Sequence, residues 1–145
     1  KNYAKSLEAF KESRALFKRL KEVINVARCD QKIAHCLTEL DDAQGALISA
    51  QKSLDVFVTA HDHRRETYSS FELGKAQFAL ALYEEALMTF ENVLESVTEA
   101  EFKDFEFIID IERKISLTLR KLDRNDEADE ISRRVDAVAE VIDED

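Results

Sequence analysis

Three segments of this chain carry the same apolar spacing at intervals of 40 residues. Residues 3–20 place Tyr3, Leu7, Phe10, Leu16, Phe17 and Leu20 at steps of about three or four. Residues 83–97 repeat the pattern 80 positions later, with Tyr83, Leu87 and Phe90 matching Tyr3, Leu7 and Phe10. Halfway between, residues 43–60 carry Ala43, Ala46, Leu47, Ala50 and Leu54 at the offset of 40. A fourth copy, residues 126–142, puts Ala128 at an offset of 42 from Ala86, with Ile131, Val135, Val138 and Ile142 along one stripe. Such spacing marks helices with one buried face. A repeat of this length predicts stacked helix pairs, each covering its neighbour's apolar face.

Between these trailing helices lie leading ones. Residues 22–40 carry Val26, Cys29, Ile33, Ala34, Leu37 and Leu40. Residues 64–81 carry Tyr68, Phe71, Leu73, Gly74 and Phe78, and residues 100–122 carry Phe102, Phe105, Ile108, Ile109, Ile115, Leu119 and Leu122. The chain has no proline and two glycines, so little in it punctuates sheets or long loops. Connections are expected at 41–42, 61–63 and 123–125, with Asp41, Asp62, Thr98 and Asn125 as N-caps. The expectation is an all-α domain of about seven helices: a half-repeat at 1–21 and pairs at 22–61, 62–98 and 99–145.

The stretch LGKAQFALALYEEALMTFENVL at residues 73–94 is the most specific part. Leu73-Gly74 stand on a leading helix, and Ala86 and Phe90 on the trailing helix that follows. This resembles the tetratricopeptide (TPR) repeat, which couples a Leu-Gly to an Ala and an aromatic. The period of about 40 resembles the lengthened repeats of kinesin light chains and several bacterial regulators. Other pairs depart from the pattern: Ile33-Ala34 and Ile115-Ser116 replace Leu-Gly, and Ala50 and Ser132 replace the aromatic. The resemblance implies antiparallel pairs stacked as a right-handed superhelix, a non-catalytic scaffold that binds a protein segment.

It also implies that leading helices line a concave face. Aligning the pairs on Ala46, Ala86 and Ala128 places Arg28, Gln31, Lys32, His35, Thr38 and Glu39 there from the first pair. Tyr68, Phe71, Glu72, Lys75 and Phe78 come from the second, and Asp110, Arg113, Lys114, Leu117, Arg120 and Lys121 from the third. Seven bases (Arg28, Lys32, Lys75, Arg113, Lys114, Arg120, Lys121) then face three acids (Glu39, Glu72, Asp110). The expected ligand is an acidic peptide or helix, with Phe71 and Phe78 as apolar anchors beside Tyr68. The carboxylate-clamping set of chaperone-binding TPR domains maps to Gln31, His35, Glu72, Asp110 and Lys114, of which Lys114 alone fits.

Other chemistries find little support. The net charge is 21 − 31 = −10, which disfavours nucleic acid and anionic membranes. No apolar run reaches the length of a membrane span. Cys29 and Cys36 lie seven residues apart, about 10 Å along a helix, too far to share a metal. They read as buried thiols of a cytoplasmic protein. Paired acids such as Glu84-Glu85 and Asp126-Glu127 start helices, where they favour the positive end of the dipole. No catalytic order, cofactor motif or phosphate loop is present. Residues 123–145 hold ten acids and three bases, a net of −7 suited to a solvated terminal helix. Beginning at Lys1 within a helical pattern, the chain reads as a fragment of a longer protein. The alternative to peptide binding is an assembly or regulatory segment that packs on its own chain, or self-associates through the open end at residues 3–20.

Gly74 tests the repeat alignment. As a close-packing glycine it should not accept bulk, so Gly74→Leu is expected to cost about 1–3 kcal/mol or more by overpacking. Thermal melting indistinguishable from the parent would refute the alignment.

Overall fold

The computed structural model describes residues 1–101 and 103–144. Phe102, expected on the stripe of a leading helix, and Asp145, of the acidic terminus, lie outside the described residues. Seven α-helices and no strand occur among the described residues: α1 (Tyr3–Arg19), α2 (Val23–Glu39), α3 (Ala43–Thr59), α4 (His63–Ala79), α5 (Tyr83–Glu99), α6 (Phe105–Lys121) and α7 (Asn125–Glu144).

The 40-residue period has a local cause. Helices α1 to α6 are each 17 residues long, and most connectors have three, so each helix plus its turn occupies 20 positions. Every such turn contains one residue in the left-handed region: Lys21 (φ 58°), Asp41 (62°), His61 (55°), Ala81 (61°) and Asp123 (59°). At four of them the next residue's N–H reaches back five positions, as in Glu22 N to Phe17 O (3.0 Å) and Asp42 N to Leu37 O (2.8 Å). The turn residue itself reaches back three, as in Lys21 N to Lys18 O (3.1 Å). These are Schellman closures, which satisfy the last carbonyls of one helix and reverse the chain in minimum length.

The residue after the turn then caps the next helix. Asp42 accepts from Gly45 N and Asp62 from Arg65 N. Asn2 and Asp104 do the same for α1 and α6. Asp41, expected as a cap, is instead the left-handed residue, because its neighbour Asp42 sits where the side chain can meet the free N–H groups. Thr98 lies inside α5, and Asn125 is the first residue of α7. The expected helix at 100–122 begins five residues later, at Phe105, since the non-helical Ala100 ends α5 and Asp104 opens α6.

The helices form two compact units, Lys1–Ala81 and Leu82–Asp145. In the first, α3 packs between α2 and α4, α1 packs on α2, and α2 touches α4 directly. Small residues permit the close approach: Ala27, Ala34, Ala46 and Ala50 have no exposed surface. Leu7, Ile33 and Cys36 pack with Tyr3, Phe10 and Leu37 to bind α1 to α2. Arg14 reinforces this join, with Nε donating to Oδ1 of the buried Asp30 at 2.6 Å and Nη2 to Oδ2 at 3.4 Å. A forked guanidinium matches a carboxylate's two oxygens, which is how a buried carboxylate is tolerated here. Gly74 is buried in α4.

In the second unit α6 lies against both α5 and α7. Ala86, Phe90, Ile111 and Ala128 are fully buried. Ser116, where the repeat pattern has glycine, turns its hydroxyl onto Ala128 O (3.0 Å) and Ser132 Oγ (2.7 Å) of α7, so its polar atom is satisfied at the helix crossing. A matching buried hydroxyl pair, Ser53 to Ser69 at 3.0 Å, joins α3 to α4.

The turns generate a stability prediction. A left-handed conformation costs a side-chain-bearing residue about 1–2 kcal/mol, partly offset by glycine's greater unfolded-state entropy. Lys21→Gly and His61→Gly should each stabilise the protein by up to about 1 kcal/mol. Denaturant unfolding reads this directly, and a lower midpoint in both variants would show the turns to be unstrained.

Candidate functional site

The periodic turns bring equivalent positions of successive leading helices together. His35 on α2 and Lys75 on α4 are 40 residues apart, one period, and their side chains meet, Lys75 Nζ lying 3.3 Å from His35 Nδ1. The role of Nδ1 in this contact follows the ring's tautomer. Glu72, one turn before Lys75, completes a cluster. Its Oε2 is 3.0 Å from Lys75 Nζ, and its Oε1 is 3.7 Å from His35 Nδ1.

Neither approach is an aligned hydrogen bond. Glu72 Oε2, buried, has no aligned donor, and 3.7 Å exceeds hydrogen-bond reach. Around them, Tyr3 of α1 sets its ring edge-on to His35 at a centroid distance of 5.7 Å, and Lys75 lies 5.2 Å over the Phe71 ring. Cation–π contact and ion pairing thus hold the same ammonium.

Burial works against the charged form of Glu72. The His35 imidazole and the Lys75 ammonium more than reverse that effect and hold the carboxyl below its usual range. Burial and then the Glu72 charge push the nearby Cys36 thiol up. Burial and then Asp30 do the same to Cys29. Both thiols are free and buried, and raised pKa values make weak nucleophiles at neutral pH.

Of the residues expected on this face in the first unit, Arg28 and Lys32 are exposed on α2, and Tyr68 and Phe78 are half-buried on α4. Phe71 is 9% exposed. What it offers a ligand is the ammonium above it rather than an open ring. In the second unit Arg113 and Lys121 are exposed on α6 and Lys114 is half-buried. Arg120 is turned to Asp129 of α7 at 2.7 Å. Two of the seven bases, Lys75 and Arg120, therefore spend charge on internal acids.

The three-residue cluster was not anticipated, because Glu72 counted simply as an opposing acid. The signal that could have found it was the spacing: 40 between His35 and Lys75, and three between Glu72 and Lys75. No group of three or more His, Cys, Asp or Glu side chains is arranged to hold a metal among the described residues. No described helix is long and apolar enough to cross a membrane.

With this geometry in view, comparison with known proteins is informative about fold. No protein-family profile matches the chain. No curated protein matches it either. Among solved structures it is similar to a Rap protein complexed with competence and sporulation factor, with a TM-score of 0.84 and 17% identity over 96% of this chain. The match spans 38% of the Rap chain. The described residues have a TPR-like, all-α helical-repeat fold.

The cluster makes an acid-sensitivity prediction. A free glutamate titrates near pH ~4.3. With the folded value depressed, the stability contributed by Glu72 is complete above the unfolded value and is lost as pH falls through the folded one. Glu72→Gln should therefore flatten the fall in melting temperature below about pH 4.3. An unchanged acid profile would assign the loss to other carboxylates.

Proposed function

We propose that this chain is a non-catalytic, cytoplasmic interaction scaffold that binds an acidic peptide or helix along its leading helices. The observation that carries the reading is the contact of His35 with Lys75 across one period. It supports the reading by putting one pair of equivalent positions of α2 and α4 in contact. On that face Arg28 and Lys32 offer charge, while Tyr68 and Phe78 offer apolar edges beside the His35–Glu72–Lys75 cluster. In the second unit Arg113, Lys114, Arg120 and Lys121 offer the same chemistry on α6. The similar Rap protein was solved in complex with competence and sporulation factor, which supports a role in binding a separate partner. A groove lined by one sign of charge attracts the opposite sign even on a protein of net charge −10. That net charge supports a protein ligand over nucleic acid or membrane.

The test is fluorescence anisotropy with labelled peptides of equal length and graded charge. Affinity should rise with acidic content and fall steeply with salt, because exposed charges are screened within about 8–10 Å near physiological ionic strength. Each solvated pair is worth about 0.2–1 kcal/mol, so single reversals will be small. Reversing Arg28 and Lys32 together, or Arg113, Lys114, Arg120 and Lys121 together, to Glu should weaken binding measurably. Affinity independent of peptide charge and of salt would overturn the reading.

A second reading has its own support. Leu16 on α1 and Leu20 just after it are 52% and 60% exposed, and Val23 and Ile24 at the start of α2 are also open. Leu16 is nine residues from the buried Leu7, two and a half helical turns, and so lies on the opposite side of α1. This face suits self-association through residues 3–20 or packing against the same polypeptide. Light scattering across concentrations separates the readings, since a stable dimer favours the second.

A further inference from the structure

Three side chains of the α2/α4 face meet at unequal exposure. Those of Glu72 and Lys75 are each 12% exposed, and that of His35 is 38% exposed. Lys75 Nζ lies 3.0 Å from Glu72 Oε2 and over the Phe71 ring, so the two mostly buried charges are committed to one another. His35 Nδ1 stands 3.3 Å from the ammonium and 3.7 Å from Glu72 Oε1. The member of the cluster most open to solvent is thus an imidazole, the side chain whose ordinary chemistry changes charge between about pH 5 and about pH 8.

With the ring neutral, the ammonium and the carboxylate cancel. With the ring protonated, two cations share one carboxylate, and the cluster carries a single positive charge. A protonated Nδ1 and an ammonium can only donate, so their 3.3 Å contact becomes repulsive and Glu72 Oε1 is the acceptor left to the ring. From α1, Tyr3 faces the ring edge-on at 5.7 Å. On α2 itself, Lys32 stands one turn before His35 and Glu39 one turn after, offsetting each other in sign. The Cys36 thiol, raised by burial and then by Glu72, stays neutral. The third helix packed on α2 is α3, whose charged residues are Lys52 and Asp55; both are exposed, and Asp55 accepts from Gln51.

We infer that the His35–Glu72–Lys75 cluster is a proton-linked switch for the α2/α4 face: it presents no net charge to an acidic peptide while the ring is neutral, and a single positive charge once His35 is protonated. Resting on the acidic-peptide reading of that face, this adds the condition under which such a ligand binds tightly. A nearby anion favours the imidazolium, so bound ligand strengthens the ring's hold on its proton. By reciprocity the proton strengthens the ligand's hold on the protein to the same extent. Binding therefore tightens as pH falls through the imidazole range. Glu72, held below its usual range by His35 and Lys75, stays ionised throughout that window.

The probe is a rhodamine-labelled peptide of alternating aspartate and alanine, read by fluorescence anisotropy against the 145-residue protein. Free aspartate titrates near pH ~3.9, so the ligand's own charge is constant between about pH 5.5 and about pH 8. Kd is expected to fall by about 1.4- to 5-fold from the higher pH to the lower, the effect of one solvated ion pair. His35→Gln keeps a polar side chain at a half-exposed position, so it should keep the parent's circular dichroism and lose most of the pH response. His63→Gln, about three turns along α4 from Lys75, should respond as the parent does. In proton NMR, the imidazole resonance that disappears in His35→Gln should titrate with a higher midpoint when the peptide is present. Equal parent Kd at both pH values, a response retained in full by His35→Gln, or an unmoved midpoint would overturn the inference and leave the acidic-peptide reading standing. Absence of saturable binding at both pH values would overturn the two together.

Discussion

The closure of α1 to α4 and of α6 by a left-handed residue sets everything that follows. The Schellman pair of hydrogen bonds reverses the chain in three residues, and the same 17-residue helix then begins again. Because the reversals after α2 and α3 are the same, a residue on α2 finds its counterpart on α4 one period later, in register. Tight turns of this kind usually employ glycine; here lysine, aspartate, histidine and alanine accept the strain. Helix packing holds them there, aided by alanines with no exposed surface on α2, α3 and α4 in the first unit and on α5 and α7 in the second.

Close crossings leave few places for polar atoms, and the protein resolves each one locally. Asp30 receives the Arg14 fork, Ser53 and Ser69 share a hydrogen bond, and Ser116 finds a carbonyl on α7. Glu72 is the partial exception, because its Oε2 lies beside an ammonium without an aligned donor. An incompletely satisfied carboxylate beside a half-exposed imidazole, on the face where successive leading helices meet, is the most chemically distinctive place in the first unit.

Most of the helical framework was legible in the sequence, since apolar residues recurring at three and four positions define both helices and period. Boundaries were less legible where two residues compete for one role. Asp41 and Asp42 both have capping side chains, and only the hydrogen-bonded turn decides that the first takes the left-handed position. The late start of α6 was hidden because residues 100–104 contain neither glycine nor proline. On the site, the charge count was visible, but its internal cancellation at Lys75 and Arg120 was not. That cancellation depends on which acids the packing brings near.

The uniform turn also bears on how such a chain could change over generations. Removing residues 22–61 would join Lys21 to Asp62, so that a left-handed lysine would be followed by an N-cap aspartate, the arrangement already present at Asp41 and Asp42. Duplicating the same stretch would insert two more helices with equally ordinary junctions. A gene encoding this chain can therefore gain or lose a helix pair by unequal recombination without creating a foreign joint. The length of the array is thus free to drift, while the geometry inside each pair is not.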